Sequence, residues 1–294
     1  MTAKMMGALN SPVHRFRLGD FEIMTVLDGT TLRDAVSPPF CMGMEEDGII
    51  SLAAANRIPP DRFEHPFVPT LVNTGDELVL FDVGFGAKGR DSGAGQLEAR
   101  LGEAGYAPDD IDLVAFTHVH LDHILGVMND GRPTFPNARY AIGQVEFDAW
   151  KSGKDIPQQR AQNREMFLAL IAPLADRMTF LQPGDRVAGG ITALEAYGHS
   201  LGHLMFHVES AGKSVLLWGD VANHYVFSLQ VPEVAVGFDD DKEAAIATRL
   251  RVLDMVASDD QLVIGHHMPF PSLGYVERTG MSYRWVPATY QMRT

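Results

Sequence analysis

The sequence has few of the features that mark secreted and membrane proteins. Cys41 is the one cysteine among 294 residues, so no disulfide can form within the chain. Nothing beside Cys41 would activate its thiol, and we expect a small buried side chain there. Apolar runs of roughly 20 residues, which a membrane-spanning helix needs, are missing. Residues 1–10 hold one lysine and no apolar segment of signal-peptide length, which predicts a cytoplasmic protein.

Positive charge is also scarce. The 24 Lys and Arg residues face 38 Asp and Glu residues, which leaves a net charge of −14. A nucleic-acid binder needs a basic surface for its phosphate contacts, and an anionic membrane attracts the same kind of surface. We therefore expect neither partner. The hydrophobic content of 46% and charged content of 21% are those of a globular protein with a sizeable core.

Strand and helix patterns alternate along the chain. Short apolar runs between turn residues predict strands at 21–27, 70–73, 77–82, 111–116, 140–142, 179–181, 191–196, 204–209, 214–217 and 261–265. Helical periodicity predicts helices at 47–56, 96–104, 121–127, 144–150, 160–174 and 241–257. The rest of 36–68 is proline-rich and predicts loops. No linker or repeat divides the chain, so we expect a single α/β domain over residues 1–294.

The motif HVHLDH at residues 118–123 is the strongest functional signal, and it follows a predicted buried strand directly. It brings together His118, His120, Asp122 and His123. Imidazole and carboxylate are the groups that bind zinc and similar divalent ions. Four of them would be costly to bury without a cation, whereas a chance cluster would lie on the surface. The motif predicts a metal site in a hydrolase.

Further candidate ligands follow other predicted strands. His199 and His203 lie in a glycine-containing turn, and Asp220 ends the strand at 214–217, where a turn cap is the alternative role. His266 and His267 end the last predicted strand. Side chains alternate along a strand, so one of this pair can enter a site, but spacing does not say which. Ligand sites of α/β proteins usually form at the carboxyl ends of strands.

These motifs, in this order, resemble those of the metallo-β-lactamase superfamily, which implies a four-layer αββα sandwich with metals at one edge. A narrower resemblance is to the group that includes methyl parathion hydrolase, dihydrocoumarin hydrolase and lactonases. It lies in GDFEI at 19–23, FPNA at 135–138, HMPFP at 267–271 and YRWVP at 283–287.

The resemblance implies two divalent ions, with Zn²⁺ preferred over Mn²⁺, Co²⁺ or Fe. It implies seven ligands: His118, His120 and His199 for one ion, Asp122, His123 and His267 for the other, and Asp220 as the bridge. It selects His267 over His266 because the family's last ligand precedes x-Pro-Phe-Pro. It gives His203 a packing role behind the site and Asp82 a structural one.

The implied reaction is attack on a lactone, aryl ester or organophosphate triester by a hydroxide held between the ions. Asp122 would hold this nucleophile and pass its proton to the leaving group. We expect a small neutral substrate and a largely apolar pocket. Phe85 and Trp150 are the candidates for its wall and His224 is a further pocket candidate, with a core role as the alternative for each.

Alternative functions remain open from the sequence. Another chemistry on the same fold, such as iron redox reactions or a different hydrolysis, is one alternative. A non-catalytic metal-binding protein is another. A homodimer is also left open.

Overall fold

The computed structural model describes residues 11–59 and 61–288, so the prediction made from residues 1–10 lies outside it. The strands in chain order are β1 (Val13–Leu18), β2 (Phe21–Val26), β3 (Gly29–Arg33), β4 (Phe63–Phe67), β5 (Thr70–Asn73), β6 (Leu78–Phe81), β7 (Leu113–Ala115), β8 (Met128–Asn129), β9 (Arg132–Pro133), β10 (Arg139–Gly143), β11 (Met178–Leu181), β12 (Arg186–Ala188), β13 (Ile191–Glu195), β14 (Leu204–Ser210), β15 (Lys213–Leu217), β16 (Val263–Ile264), β17 (Leu273–Thr279) and β18 (Ser282–Pro287).

The helices surround these strands. In chain order they are α1 (Glu46–Ala55), α2 (Leu97–Glu103), α3 (Leu121–Ile124), α4 (Gln144–Ser152), α5 (Ala161–Leu170) and α6 (Lys242–Ser258). Short 3₁₀ helices cover Gly86–Ser92, Pro108–Asp110, Leu125–Val127, Gln158–Arg160 and Ala172–Arg177. Within the described residues, none of the helices has both the length and the apolar character needed to cross a membrane.

Two seven-stranded sheets form the centre of the fold. The first has the order β1-β2-β5-β6-β7-β10-β11 and the second the order β12-β13-β14-β15-β16-β17-β18. In the first sheet, β6, β7, β10 and β11 run parallel to one another, and the pairs β1/β2, β2/β5 and β5/β6 are antiparallel. In the second, β15 and β16 are the parallel pair. The parallel strands carry their carboxyl ends to the edge where the predicted ligands lie.

The sheets pack face to face, with helices on both outer faces. Phe81 and Phe206 meet across the central layer with ring centroids 4.8 Å apart. Trp150 of α4 and Phe167 of α5 are buried against the outside of the first sheet, and Val252 of α6 against the outside of the second. Burial of these apolar faces produces the αββα sandwich predicted from the resemblance.

Several boundaries differ from the sequence predictions for local reasons. The helix predicted at 121–127 ends at Ile124 and continues as a 3₁₀ turn. A Cβ on Gly126 would lie 1.9 Å from the carbonyl oxygen of Val83, so the chain passes very close to the strand end there. The segment at 36–68 is not only loops, because β4 pairs with β3 as a two-stranded ribbon. The strands not predicted from the sequence are β1, β3, β4, β8, β9, β12, β17 and β18.

Candidate metal centre

Asp82 organises the loop that carries the first motif. It follows β6 with a left-handed φ of 61°. Its carboxylate accepts hydrogen bonds from the backbone N–H and the hydroxyl of Thr117, both at 2.9 Å. It also accepts from Nδ1 of His123 at 2.8 Å. One buried carboxylate therefore links the end of β7 to the start of α3 and orients a predicted ligand.

The other imidazoles of the site are oriented in the same way. His118 Nδ1 contacts the Thr117 hydroxyl at 3.0 Å, and His120 Nε2 contacts Asp240 at 3.1 Å. His199 Nδ1 contacts Asp239 at 2.8 Å, and His267 Nδ1 contacts the carbonyl oxygen of Pro66 at 2.8 Å. An acceptor at one ring nitrogen makes that nitrogen the N–H donor. The second nitrogen of each ring then has a free lone pair that can bind a metal ion.

Those lone pairs converge in a first group. The donor atoms of His118, His120 and His199 lie within 4.8 Å of one another. His120 Nδ1 and His199 Nε2 are 2.9 Å apart, and His118 Nε2 is buried without a partner. Two facing lone pairs repel unless a proton or a metal cation lies between them. This donor set therefore fits a divalent ion bound by three imidazoles.

A second group lies beside the first. Asp122, His123, His266 and His267 again offer donor atoms within 4.8 Å of one another. The Nε2 atoms of His123 and His267 lie 3.5 and 3.4 Å from an oxygen of Asp122. His123 Nε2 is buried and has no hydrogen-bond partner. A carboxylate with two imidazoles also fits a divalent ion.

Asp220 lies between the two groups. Its oxygens are 3.1 Å from His199 Nε2, 2.9 Å from His267 Nε2 and 3.4 Å from His123 Nε2. Burial would raise the pKa of Asp220, but the surrounding imidazoles, with His267 first, hold it well below its usual range. The carboxylate is therefore ionised and faces both groups at once. All seven predicted ligands are brought together.

The electrostatics of the histidines reflect this crowding. Burial lowers the pKa of His120 to about 4. Burial would also lower the pKa of His199, but Asp220 and Asp239 raise it to about 9. Without a metal, His199 therefore carries the proton that lies between the two rings. A divalent ion would displace that proton.

The adjacent histidines have different surroundings. His267 lines the cavity, and its ring is held by Pro66 while its Nε2 faces Asp220. The nearest carboxylate to His266 Nδ1 is Asp82, at 4.0 Å, and the His266 ring lies against that of His123 with centroids 4.1 Å apart. Both residues belong to the second group of potential ligands, but His267 is the one that contacts Asp220.

His203 and Glu146 support the site from behind. His203 Nδ1 donates to the carbonyl oxygen of Ala196 at 2.9 Å, and its Nε2 accepts from the Asp220 N–H at 3.2 Å. Glu146 accepts from the N–H of Val119 at 3.0 Å, the hydroxyl of Ser200 at 2.6 Å and the N–H of Gly202 at 2.8 Å. The loops that carry the first motif and His199 are therefore tied to α4.

A cavity of about 240 Å³ opens onto the metal centre. Its wall is mixed rather than largely apolar, which corrects the sequence expectation. The wall residues outside the predicted ligand set include Arg33, His65, Phe67, Phe85, Arg160 and Phe238. Phe85 is on the wall as predicted, and its ring meets that of Phe67 edge-on at 4.7 Å. Charged and aromatic groups thus face the substrate space together.

The other two pocket candidates do not line this cavity. Trp150 is fully buried in the core under the first sheet, where its indole N–H donates to Ser200. His224 is buried among aromatic side chains, with ring centroids 4.4 Å from Phe227, and burial lowers its pKa to about 3. Both corrections have the same reason: each side chain is buried in an apolar cluster, where its aromatic ring is removed from water.

Several residues at the site were not predicted from the sequence. Among them, His65 lines the cavity and stacks on His267 with centroids 4.2 Å apart. Asp239 and Asp240 orient His199 and His120, and Arg160 pairs with Asp240 at 2.7 Å. The only sequence signal is the run of three aspartates at 239–241, whose last residue begins the helix predicted at 241–257.

The fold and the donor set define a metal-binding α/β sandwich, and the comparison with known families agrees. The model of the metallo-β-lactamase superfamily matches residues 68–267. The chain therefore belongs to this superfamily. An N-acyl homoserine lactonase of Bacillus cereus is 26% identical to it over 169 residues, 57% of this chain. The aligned region spans only 60% of that lactonase.

Solved structures show the same fold over nearly the full length. The dizinc quorum-quenching lactonase AidC, in complex with the product N-hexanoyl-L-homoserine, has a TM-score of 0.89 at 22% identity. The match covers 96% of this chain and 99% of AidC. The hydrolase AbOPH has a TM-score of 0.89 at 26% identity, with 97% of this chain and all of that chain covered. The fold and the His/Asp clusters together make this edge of the sandwich a divalent-metal site.

Proposed function

We propose that the protein is a hydrolase with two divalent metal ions, most commonly Zn²⁺, and that it opens lactones or cleaves related aryl esters and phosphotriesters. The observation that carries this proposal is the position of Asp220, which faces both groups of imidazoles at 3.4 Å or less. The similarity to lactonases favours a lactone as the first substrate class to test.

We assign the ligands by their surroundings. His118, His120 and His199 would hold one ion, and Asp122, His123 and His267 the other, with Asp220 shared. When bound, the ions would supply an activated water as nucleophile and polarise the oxygen of the scissile group. His266 stays outside the ligand set in this proposal, because it does not reach Asp220 or line the cavity.

Asp122 is the proposed catalytic residue. It lines the cavity, and its side chain is 18% exposed, compared with 3% for Asp220, the other carboxylate in the ligand set. The neighbouring imidazoles keep the pKa of Asp122 well below its usual range although burial opposes this. It can therefore accept a hydrogen bond from the attacking water. As the carbon–oxygen bond to the leaving group breaks, the proton from water passes through Asp122 to the leaving oxygen.

The test is a hydrolysis screen with zinc-, manganese- and cobalt-loaded protein. Lactones, aryl esters and phosphotriesters are compared, and metal content is measured on each sample. We expect turnover of lactones, and a loss of roughly a hundredfold in Asp220→Asn, because a displaced metal pair no longer holds the reacting groups in register. Asp176→Asn, on the exposed surface, is the matched control. Absence of turnover in all three classes with full metal occupancy would contradict the proposal.

A further inference from the structure

An arginine without a carboxylate partner lies on the cavity wall above the metal centre. Arg33 ends β3, and its side chain lines the same cavity as Asp122 and Asp220. Within residues 11–59 and 61–288, the arginines that pair with carboxylates do not include Arg33. Its Nε is buried and has no hydrogen-bond partner. A buried or half-buried cation usually has a counter-charge, and the described part of the chain places no carboxylate within ion-pair distance of this one.

The β3–β4 ribbon aims this arginine into the cavity. The two strands pair antiparallel, with Thr31 opposite His65 and Gly29 opposite Phe67. Opposed residues share a face of such a ribbon, and alternate residues along a strand share it too. Arg33 is therefore on the same face as His65 and Phe67, both of which line the cavity. Leu32 points the other way and is 62% exposed.

Phe238 holds the guanidinium of Arg33 in place. The Arg33 Cζ lies 5.3 Å from the centroid of the Phe238 ring, a cation–π arrangement. A stacked guanidinium keeps its edge available, and that planar edge matches the two oxygens of a carboxylate. The Phe238 backbone is held by Arg160, which donates to its carbonyl oxygen. The Phe238 ring stacks on that of His65, with centroids 5.7 Å apart.

Arg160 differs from Arg33 because it has a carboxylate partner. It also lines the cavity, but it pairs with Asp240 at 2.7 Å. Asp122 and Asp220 face the imidazole groups, where metal cations would offset their charge. Of the two arginines on this wall, Arg33 is thus the one without an ion-pair partner among the described residues.

We propose that the substrate carries a carboxylate, which Arg33 binds while the scissile ester or lactone bond lies at the metal centre. This proposal rests on the proposed hydrolase function, and it differs from the neutral substrate expected from the sequence. The cavity of about 240 Å³ suits a compact molecule with its carboxylate and scissile bond separated by a short chain. Hydrolysis would consume one water, break the acyl carbon–oxygen bond to the leaving group and form one to the water oxygen, which gives an alcohol, a second carboxylate and a proton.

The test compares two esters with the same leaving group, the mono-4-nitrophenyl ester of adipate and 4-nitrophenyl hexanoate. The zinc-loaded protein should have a kcat/KM at least about tenfold higher for the charged ester, the gain expected of one charge-assisted hydrogen bond. Added salt should lower this ratio, because it screens a partly exposed charge pair. Arg33→Gln should bring the ratio near one. Arg33→Lys, which keeps the charge, should retain part of it.

Arg186→Gln is the matched control, since Arg186 lies exposed on β12. Circular dichroism and zinc content establish that each variant is folded and loaded. If both esters are cleaved with a ratio near one, and neither salt nor Arg33→Gln changes it, the carboxylate proposal is overturned and the hydrolase function stands. If the loaded wild-type protein cleaves neither these esters nor any lactone or phosphotriester, the hydrolase function fails and the carboxylate proposal fails with it.

Discussion

In each imidazole of the metal centre, one ring nitrogen is hydrogen-bonded to the protein and the other faces the candidate metal site. The partner differs from ring to ring: a hydroxyl for His118, a carboxylate for His123 and His199, and a backbone carbonyl for His267. Such partners determine the tautomer and orientation of a metal-binding histidine. The residue-scale predictions follow from these hydrogen bonds.

Substitutions of the adjacent histidines His266 and His267 should differ in their effect on metal binding. We expect His267→Ala to lose about one of the two metal ions and most turnover, because His267 Nε2 faces Asp220 at 2.9 Å. His266→Ala should retain both ions, since its ring packs on His123 without contacting Asp220. Metal stoichiometry of the two purified variants measures this difference. Loss of metal from His266→Ala with full occupancy in His267→Ala would assign the ligand to the other residue of the pair.

His203 should make the protein less stable in acid. Its Nδ1 donates to Ala196 and its Nε2 accepts from the Asp220 N–H, so a second ring proton would face a donor. Burial accordingly lowers its pKa to about 3, whereas the unfolded chain binds this proton near pH 6.5. The free energy of unfolding should therefore fall as the pH drops below 6.5, by roughly 1.4 kcal/mol per pH unit from this group.

Denaturant unfolding of metal-free protein between pH 7.5 and 5 measures this effect. His203→Gln, which cannot titrate, should show a shallower loss of stability over the same window. Equal slopes for the wild-type protein and His203→Gln would mean that His203 accepts its proton as readily in the folded state as in the unfolded one.

At the scale of elements, α4 connects two loops that are distant in sequence. Glu146 lies in its first turn and accepts three hydrogen bonds, from the loop that carries the first motif and from the turn that carries His199. Burial raises its pKa to about 7 although these donors oppose the shift. The helix therefore connects both ligand-bearing loops to the first sheet.

Replacement of Glu146 should loosen both loops together. In Glu146→Gln, one carboxylate oxygen becomes an amide N–H that meets a donor instead of accepting from it. We expect a loss of about 2 kcal/mol in the free energy of unfolding, the usual effect of an unsatisfied buried donor. Zinc affinity should fall as well. Glu165→Gln, exposed on α5, is the control for loss of a glutamate charge, and identical zinc affinity in both variants would contradict the link.

For the whole molecule, metal binding should stabilise the folded state. The proposed ligands come from loops after β7, after β13, after β15 and after β16, so the ions would connect both sheets. Zinc at a hundred times its dissociation constant should add about 2.7 kcal/mol per site to the free energy of unfolding. Thermal unfolding before and after chelation tests this, with metal analysis expected to give two ions per chain. An unchanged melting temperature at full occupancy would contradict it.

The local patterns of the sequence determined much of the fold. Apolar runs at 77–82, 111–116 and 204–209 predicted β6, β7 and β14, because a strand buried between layers needs continuous apolar residues. The same reasoning failed for β3 and β4. Their residues GTTLR and FEHPF are polar or contain proline, and they form a ribbon outside both large sheets. Tertiary contacts rather than propensity decided that ribbon.

At the site, the sequence by itself determined the donor types, because a metal motif of six residues is local and follows a strand. Only the tertiary structure brought Asp239, Asp240, Glu146 and Arg33 to it, since each is separated from the motif by tens of residues and lies in no metal-binding motif. The packing of distant elements likewise placed Trp150 in the core and His65 on the cavity wall. Ligand chemistry is encoded in short segments, whereas the orientation of the ligands and the charge of the cavity depend on which distant strands pack together.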